Sequence, residues 1–152
     1  MTIVSFAVEV DAPPERVWEV VSNPANLPHW DRHIVRVVGV PPSGLAEGVR
    51  YVTEMRFVGV RSKVRAKVLE WEEPKRSTIR LSGLLDATVT TTVEPIDGGR
   101  SRLEHLVEYR FRGGPFGDLA ARSLALVGGA QYALRHGTLA QQREIESGRR
   151  AG

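Results

Sequence analysis

The chain opens on strict alternation. Val4, Phe6, Val8 and Val10 are apolar and are separated by Ser5, Ala7 and Glu9, a period of two that predicts a half-buried strand. Asp11-Ala12-Pro13-Pro14-Glu15 stops that strand. Its prolines suit the first positions of a helix, where a missing N–H breaks no bond, and Asp11 or Ala12 is expected at the cap. Val17, Trp18, Val20 and Val21 follow at helical spacing as far as Ser22-Asn23-Pro24. A second short helix is expected to open before Pro28. From Ile34 the period returns to two, and strands are expected at about 34–40, 49–58, 60–71, 76–82, 86–95 and 100–112. Pro41-Pro42-Ser43-Gly44, Gly59, Glu73-Pro74-Lys75, Gly83 and Asp97-Gly98-Gly99 punctuate them. Connections this short join antiparallel neighbours, because a parallel crossover needs a dozen or more residues.

After Gly113-Gly114-Pro115 the spacing changes for good. Phe116, Leu119, Ala120, Ser123, Leu124, Val127, Ala130 and Leu134 fit one long helix over 116–146. Residues 147–152 are left as a disordered basic tail. The pattern therefore predicts an α+β domain spanning 1–146, in the order β-α-α-β-β-β-β-β-β-α.

Alternation also sorts the strand faces. Tyr51, Thr53, Met55 and Phe57 share one side of the third strand, with Arg50, Glu54 and Arg56 on the other. Ser62, Val64, Ala66 and Val68 oppose Arg61, Lys63, Arg65 and Lys67 on the fourth. Ala87, Val89, Thr91 and Val93, then Leu103, His105, Val107, Tyr109 and Phe111, continue the inward set. Trp71, in phase with Arg61 and Lys67, is placed on the outer side or an edge. The inward face is rich in small and hydroxyl-bearing residues, and the facing helix adds Ser123 and Gly128-Gly129. A filled core normally uses larger side chains, so this composition suits a mostly apolar pocket with a few placed polar groups. Gly128-Gly129 either kinks or thins the helix, giving a ligand space or an opening, or lets it pack closely on the sheet.

Composition removes several classes of chemistry. The chain has 152 residues and no cysteine, which excludes thiolate nucleophiles, Cys-ligated zinc and iron–sulfur clusters. No apolar run is long enough for a transmembrane helix, the N-terminus lacks a basic n-region, and a cytoplasmic location is expected. The net charge is only +3. A basic stripe of Arg50, Arg56, Arg61, Lys63, Arg65, Lys67, Arg76 and Arg80 occupies the outer face. Interleaved aromatics are scarce there, which argues against nucleic-acid binding, and Glu54, Glu70, Glu72 and Glu73 are expected to balance the stripe. The nucleophile elbow, P-loop and dinucleotide fingerprint are all missing, and no cofactor is implied.

Four histidines remain as proton carriers near neutral pH. His29 and His33 flank Asp31 in a turn-like segment without an HExxH glutamate, so no metal site is expected. His136 is expected near the helix end and exposed. His105 falls on the inward face beside Tyr51 and Tyr109. His105 is the candidate acid/base, and Tyr109 or Tyr51 the orienting group, if a bound ligand reacts.

The stretch from Val10 to Pro24, VDAPPERVWEVVSNP, continued by Leu27-Pro28-His29-Trp30-Asp31, resembles the opening of the START-like (SRPBCC) superfamily. The similarity is to its polyketide cyclase/dehydrase and lipid-transport branch. Gly48, the Gly98-Gly99 turn and a last helix entered through Gly-Pro-Phe are also similar, so the resemblance covers almost the whole chain. It implies a helix-grip fold, a seven-stranded antiparallel sheet around the C-terminal helix with a ligand cavity between them. It also implies a bulky aromatic, here Trp30, near the cavity mouth. The expected ligand-binding positions are Trp30, Tyr51, Thr53, Met55, Phe57, Val64, Ala66, Val89, Thr91, His105, Val107, Tyr109, Ser123 and Val127. Three functions follow as expectations. The first is binding of a lipid-like or aromatic, polyketide-like hydrophobic molecule. The second is an aromatase/cyclase or dehydratase using the same cavity. The third is an interaction module on the basic outer face.

Overall fold

The computed structural model describes residues 2–57, 59–83, 85–111, 113–115, 118, 121–122 and 129–151, with the side chains of Phe57, Arg149, Arg150 and Ala151 left aside. Strand β1 (Thr2–Val10) leads into helix α1 (Pro14–Val21), a 3-10 turn (Pro24–Asn26) and the short helix α2 (Leu27–Trp30). Six strands follow: β2 (Ile34–Val38), β3 (Arg50–Phe57), β4 (Val60–Glu72), β5 (Arg76–Ser82), β6 (Leu85–Ile96) and β7 (Arg100–Phe111). Helix α3 (Gly129–Ala151) closes the chain. The strands form one seven-stranded sheet in the order β1-β7-β6-β5-β4-β3-β2. Every neighbouring pair is antiparallel, as the short connections required. The helices between β1 and β2 carry the chain from one edge of the sheet to the other.

Local chemistry accounts for the helix ends. Pro13, rather than Asp11 or Ala12, is the N-cap of α1, in extended conformation. Its carbonyl accepts the N–H groups of Arg16 and Val17 at 3.1 Å each. A proline is tolerated there because the cap N–H is not used in the helix. Of the long helix predicted over 116–146, Asp118, Ala121 and Arg122 are helical, and helix α3 is described from Gly129 onward. Gly129 has φ +88°, a left-handed value that interrupts a right-handed helix. A Cβ built on Gly129 would meet nothing within 4 Å. The glycine is therefore there for its backbone freedom and not for close packing. At its other end the helix continues to Ala151, past the expected limit at 146, because no proline or left-handed residue stops it. His136 consequently lies near the start of α3, exposed and stacked on Tyr132, and not near its end.

Helix α3 runs beside β1 and against α1 and α2. Gln131 Nε2 donates to the Ser5 carbonyl and Gln142 Nε2 to the Glu9 carbonyl, both at 2.8 Å. Those carbonyls lie on an edge strand, so the two glutamines cover acceptors that could otherwise pair with another chain. Beneath them lies the main core of Val10, Val17, Trp18, Trp30, Val93, Leu103 and Ile145. A second cluster joins Leu45, Tyr51, Ala66 and Val68, and a third, smaller one surrounds Val64.

One face assignment is corrected. Trp71 packs edge-on against Trp18, with ring centroids 5.1 Å apart, and joins the first two clusters. The register between β4 and β5 shifts between Val68 and Glu70. An extra residue in one strand reverses the in–out phase beyond it. Leu69 keeps the outward phase of Arg61 to Lys67 and is 41% exposed, whereas Trp71, beyond the shift, is turned in.

Candidate functional site

The inward faces of β3 to β7 bring most of the predicted site residues onto one surface. Tyr51, Thr53, Val64, Ala66 and His105 are buried. Met55, Val89, Thr91, Val107 and Tyr109 are half-buried, and Tyr109 packs edge-on against Phe111 at 5.7 Å. Phe57 pairs with Val60 at the β3–β4 hairpin, and its side chain lies outside the described set. Ser123, Val127 and Gly128 also lie outside the described residues. Trp30 is buried in the main core, where its Nε1 donates to Glu144 Oε2 at 2.8 Å. The other oxygen of that carboxylate lies 3.3 Å from His29 Nδ1. One glutamate of α3 thus holds the end of α2 in place.

His105 sits where three elements meet. Thr91 Oγ1 on β6 lies 2.9 Å from its Nδ1, and Gln141 Oε1 on α3 lies 2.7 Å from its Nε2. With that amide orientation, Nε2–H donates to Gln141 and the Thr91 hydroxyl donates to Nδ1. This is a neutral imidazole with both nitrogens engaged. Burial holds its pKa below the ordinary histidine value, opposed by the Gln141 hydrogen bond and the charge of Glu104. To act on a ligand, the ring would first have to give up one of its two partners. Gln141 was missed from the sequence, although Leu134, Thr138, Gln141 and Ile145 recur at the i, i+4, i+7, i+11 spacing of one helix stripe.

Next to Thr91 the interior contains a narrow cleft of about 60 Å3. Two expected residues, Tyr51 and Thr91, line it together with Trp18, Trp71, Leu27 and Ile79. Trp18 Nε1 is buried with no hydrogen-bond partner among the described residues. The Tyr51 hydroxyl also makes no hydrogen bond among them. Burial raises its pKa to about 12, so it stays a protonated donor. Buried polar groups are nearly always paired, and exceptions call for an explanation. Here the buried exception is Trp18 Nε1, whose side chain borders the same cleft as Tyr51. From Thr91 an inward track leads along β6 and β7 through Val89 and Val107 to Tyr109, toward the half-exposed end of the face.

His29 and His33 turn to different partners. His33 Nδ1 lies 3.1 Å from Asp31 Oδ1, whereas His29 turns to Glu144. Among the described residues no group of three or more histidine and acidic ligands gathers. No helix described is long and apolar enough to cross a membrane.

A seven-stranded antiparallel sheet with a C-terminal helix along it defines the helix-grip class shared by START-like proteins. The chain belongs to the family described as polyketide cyclase / dehydrase and lipid transport, which it matches over residues 1–136. An uncharacterized protein of Mycobacterium tuberculosis is 32% identical over 129 residues, covering 82% of this chain and 89% of that one. Two solved structures show the same fold. A START superfamily protein from Mycobacterium smegmatis has TM-score 0.68 at 18% identity, covering 95% of this chain and 97% of that one. The Zhui aromatase/cyclase from a Streptomyces species has TM-score 0.70 at 14% identity, covering 99% and 96%.

Proposed function

We propose that residues 1–146 form a single ligand-binding unit for an elongated hydrophobic molecule bearing a hydrogen-bond acceptor, such as a ketone, at one end. The observation that carries this reading is Trp18 Nε1, a buried donor without a partner among the described residues, on a side chain that lines one cleft with Tyr51. An acceptor placed there would satisfy the Trp18 N–H, which otherwise remains desolvated at a cost of about 1–3 kcal/mol, and could also accept from the Tyr51 hydroxyl. The apolar body of the ligand would lie along Val89, Val107 and Tyr109. His105, fixed by Thr91 and Gln141, would stiffen the joint between cleft and track.

The family supports a hydrophobic small molecule in general terms, and the two donors narrow its chemistry. Native mass spectrometry and thermal shift with 2-undecanone and with the matched alkane, undecane, test the reading. The ketone is expected to bind and to raise the melting temperature more than the alkane. Tyr51→Phe keeps the ring and removes the hydroxyl, and it should weaken ketone binding while leaving the fold intact. Equal binding of ketone and alkane, or no stabilisation by either, would overturn the assignment.

A further inference from the structure

The outer face of the sheet carries a second feature, a half-open groove of about 450 Å3. That volume falls in the range of small-molecule sites. Arg50, Lys67 and Arg80 stand directly opposite one another on β3, β4 and β5. Arg65 lies two residues along β4 and pairs with Ser82, and both line the groove. Like charges placed opposite each other across strands repel, and neighbouring carboxylates usually relieve such a row. Here the acids expected to do so are engaged elsewhere. Glu54 pairs with Arg36 at 2.7 Å, Glu70 with Arg76 at 3.3 Å and Glu72 with Lys75 at 3.9 Å, while Glu73 accepts from Trp71 Nε1. None of the four groove cations has an ion pair among the described residues. Val38 and Val52, paired across β2 and β3, add an apolar wall at one side.

We infer that this groove binds a small organic phosphate, a phosphomonoester whose phosphate lies among Arg50, Lys67 and Arg80 and whose apolar body rests on Val38 and Val52. Strands are about 4.8 Å apart, so the three cations converge on a single tetrahedral dianion. Arginine matches phosphate through paired N–H donors, which makes it the fitting cation for such a group. A nucleic-acid strand would want stacking aromatics along a basic track. The groove's only aromatic among its described lining residues is Tyr51, whose side chain is buried on the inner side.

Phenyl phosphate titrated into the intact protein, followed by amide NMR shifts, tests the inference. Saturable shifts are expected at Val52, Arg65, Lys67 and Ser82, with tighter binding than inorganic phosphate because of the valine wall. Arg50→Gln and Arg80→Gln should each weaken phenyl phosphate about tenfold, the scale of one charge-assisted hydrogen bond. Without ligand, both variants should melt at a higher temperature than the parent, since a repulsion is removed. Ketone binding in the inner cleft should be unchanged in both, so failure of one site is distinguishable from failure of the other. Absence of saturable shifts, or unchanged affinity in both variants, would overturn the proposal. So would binding of phosphatidylglycerol vesicles or a single-stranded oligonucleotide at this face that phenyl phosphate cannot displace.

Discussion

The inner face of the sheet has two ends built from the same strands by the same alternation, and they finish differently. At the end covered by α1, α2 and the C-terminal part of α3, Val10, Val17, Leu103 and Ile145 are fully buried. At the opposite end Val64 is buried, yet the partners around it, Met55, Leu81, Leu85 and Phe111, stay half-exposed. Alternation decides which side of a strand is apolar. Whether that side becomes core or remains available depends on what is laid over it. The helix-covered end is closed core, whereas the described side chains at the other end stay only partly buried. His105 stands at the boundary, tied to both a strand and the helix.

The contrast can be broken most directly by cutting one large side chain at each end. Leu103→Ala should destabilise the protein by about 2–5 kcal/mol in urea unfolding, the range for a fully buried leucine. Phe111→Ala at the half-exposed end should cost less than half as much. Similar losses would mean that the two ends are packed alike.

His105→Ala should cost about 1–3 kcal/mol, because Thr91 and Gln141 lose their shared partner in a buried place. The boundary also predicts a pH dependence. A histidine whose folded pKa is depressed stabilises the fold above its unfolded value of about 6.5. As pH falls below that value the unfolded chain takes up the proton first, and stability declines toward the folded pKa. Melting curves from pH 8 to pH 5 should therefore fall more steeply for the parent than for His105→Gln. A parallel pair of curves would remove His105 from the boundary.

A smaller effect tests how the covering helix begins. Gly129→Ala forces an L side chain into a left-handed conformation and should cost about 1–2 kcal/mol. No loss would mean that the left-handed turn is dispensable. The smallest effect is expected at the bracket holding α2. Glu144→Gln keeps an acceptor for Trp30 Nε1 but removes the charge, and should cost less than about 1 kcal/mol. A shift in tryptophan emission would accompany it if Trp30 moves.

Much of the architecture was legible in the residue pattern. The seven strands, the early helices and the inward positions of Tyr51, Thr53, Val64, Ala66 and His105 follow from period-two and period-3.6 spacing, and the antiparallel pairing from the short connections. The errors fall where a local rule meets a distant one. Trp71 was placed outward because a register shift between Val68 and Glu70 leaves no mark in the hydrophobic pattern. The outer acids looked like partners for the whole basic stripe, but each has one nearby partner, and the row of Arg50, Lys67 and Arg80 is left over.

The sequence by itself determined which residues share a face, because alternation depends only on backbone geometry between neighbours. At Gly128-Gly129 it left a kink and close packing open, and the left-handed backbone of Gly129 came from the structure. Only the tertiary structure decided who partners whom. His105 and Gln141 are 36 residues apart, and Trp30 and Glu144 are 114 apart. The unpartnered N–H of Trp18 belongs to the same class of fact. A hydrogen bond is set by position and direction within a few tenths of an ångström. Distances that fine arise only when separate elements pack, so no spacing along the chain encodes them.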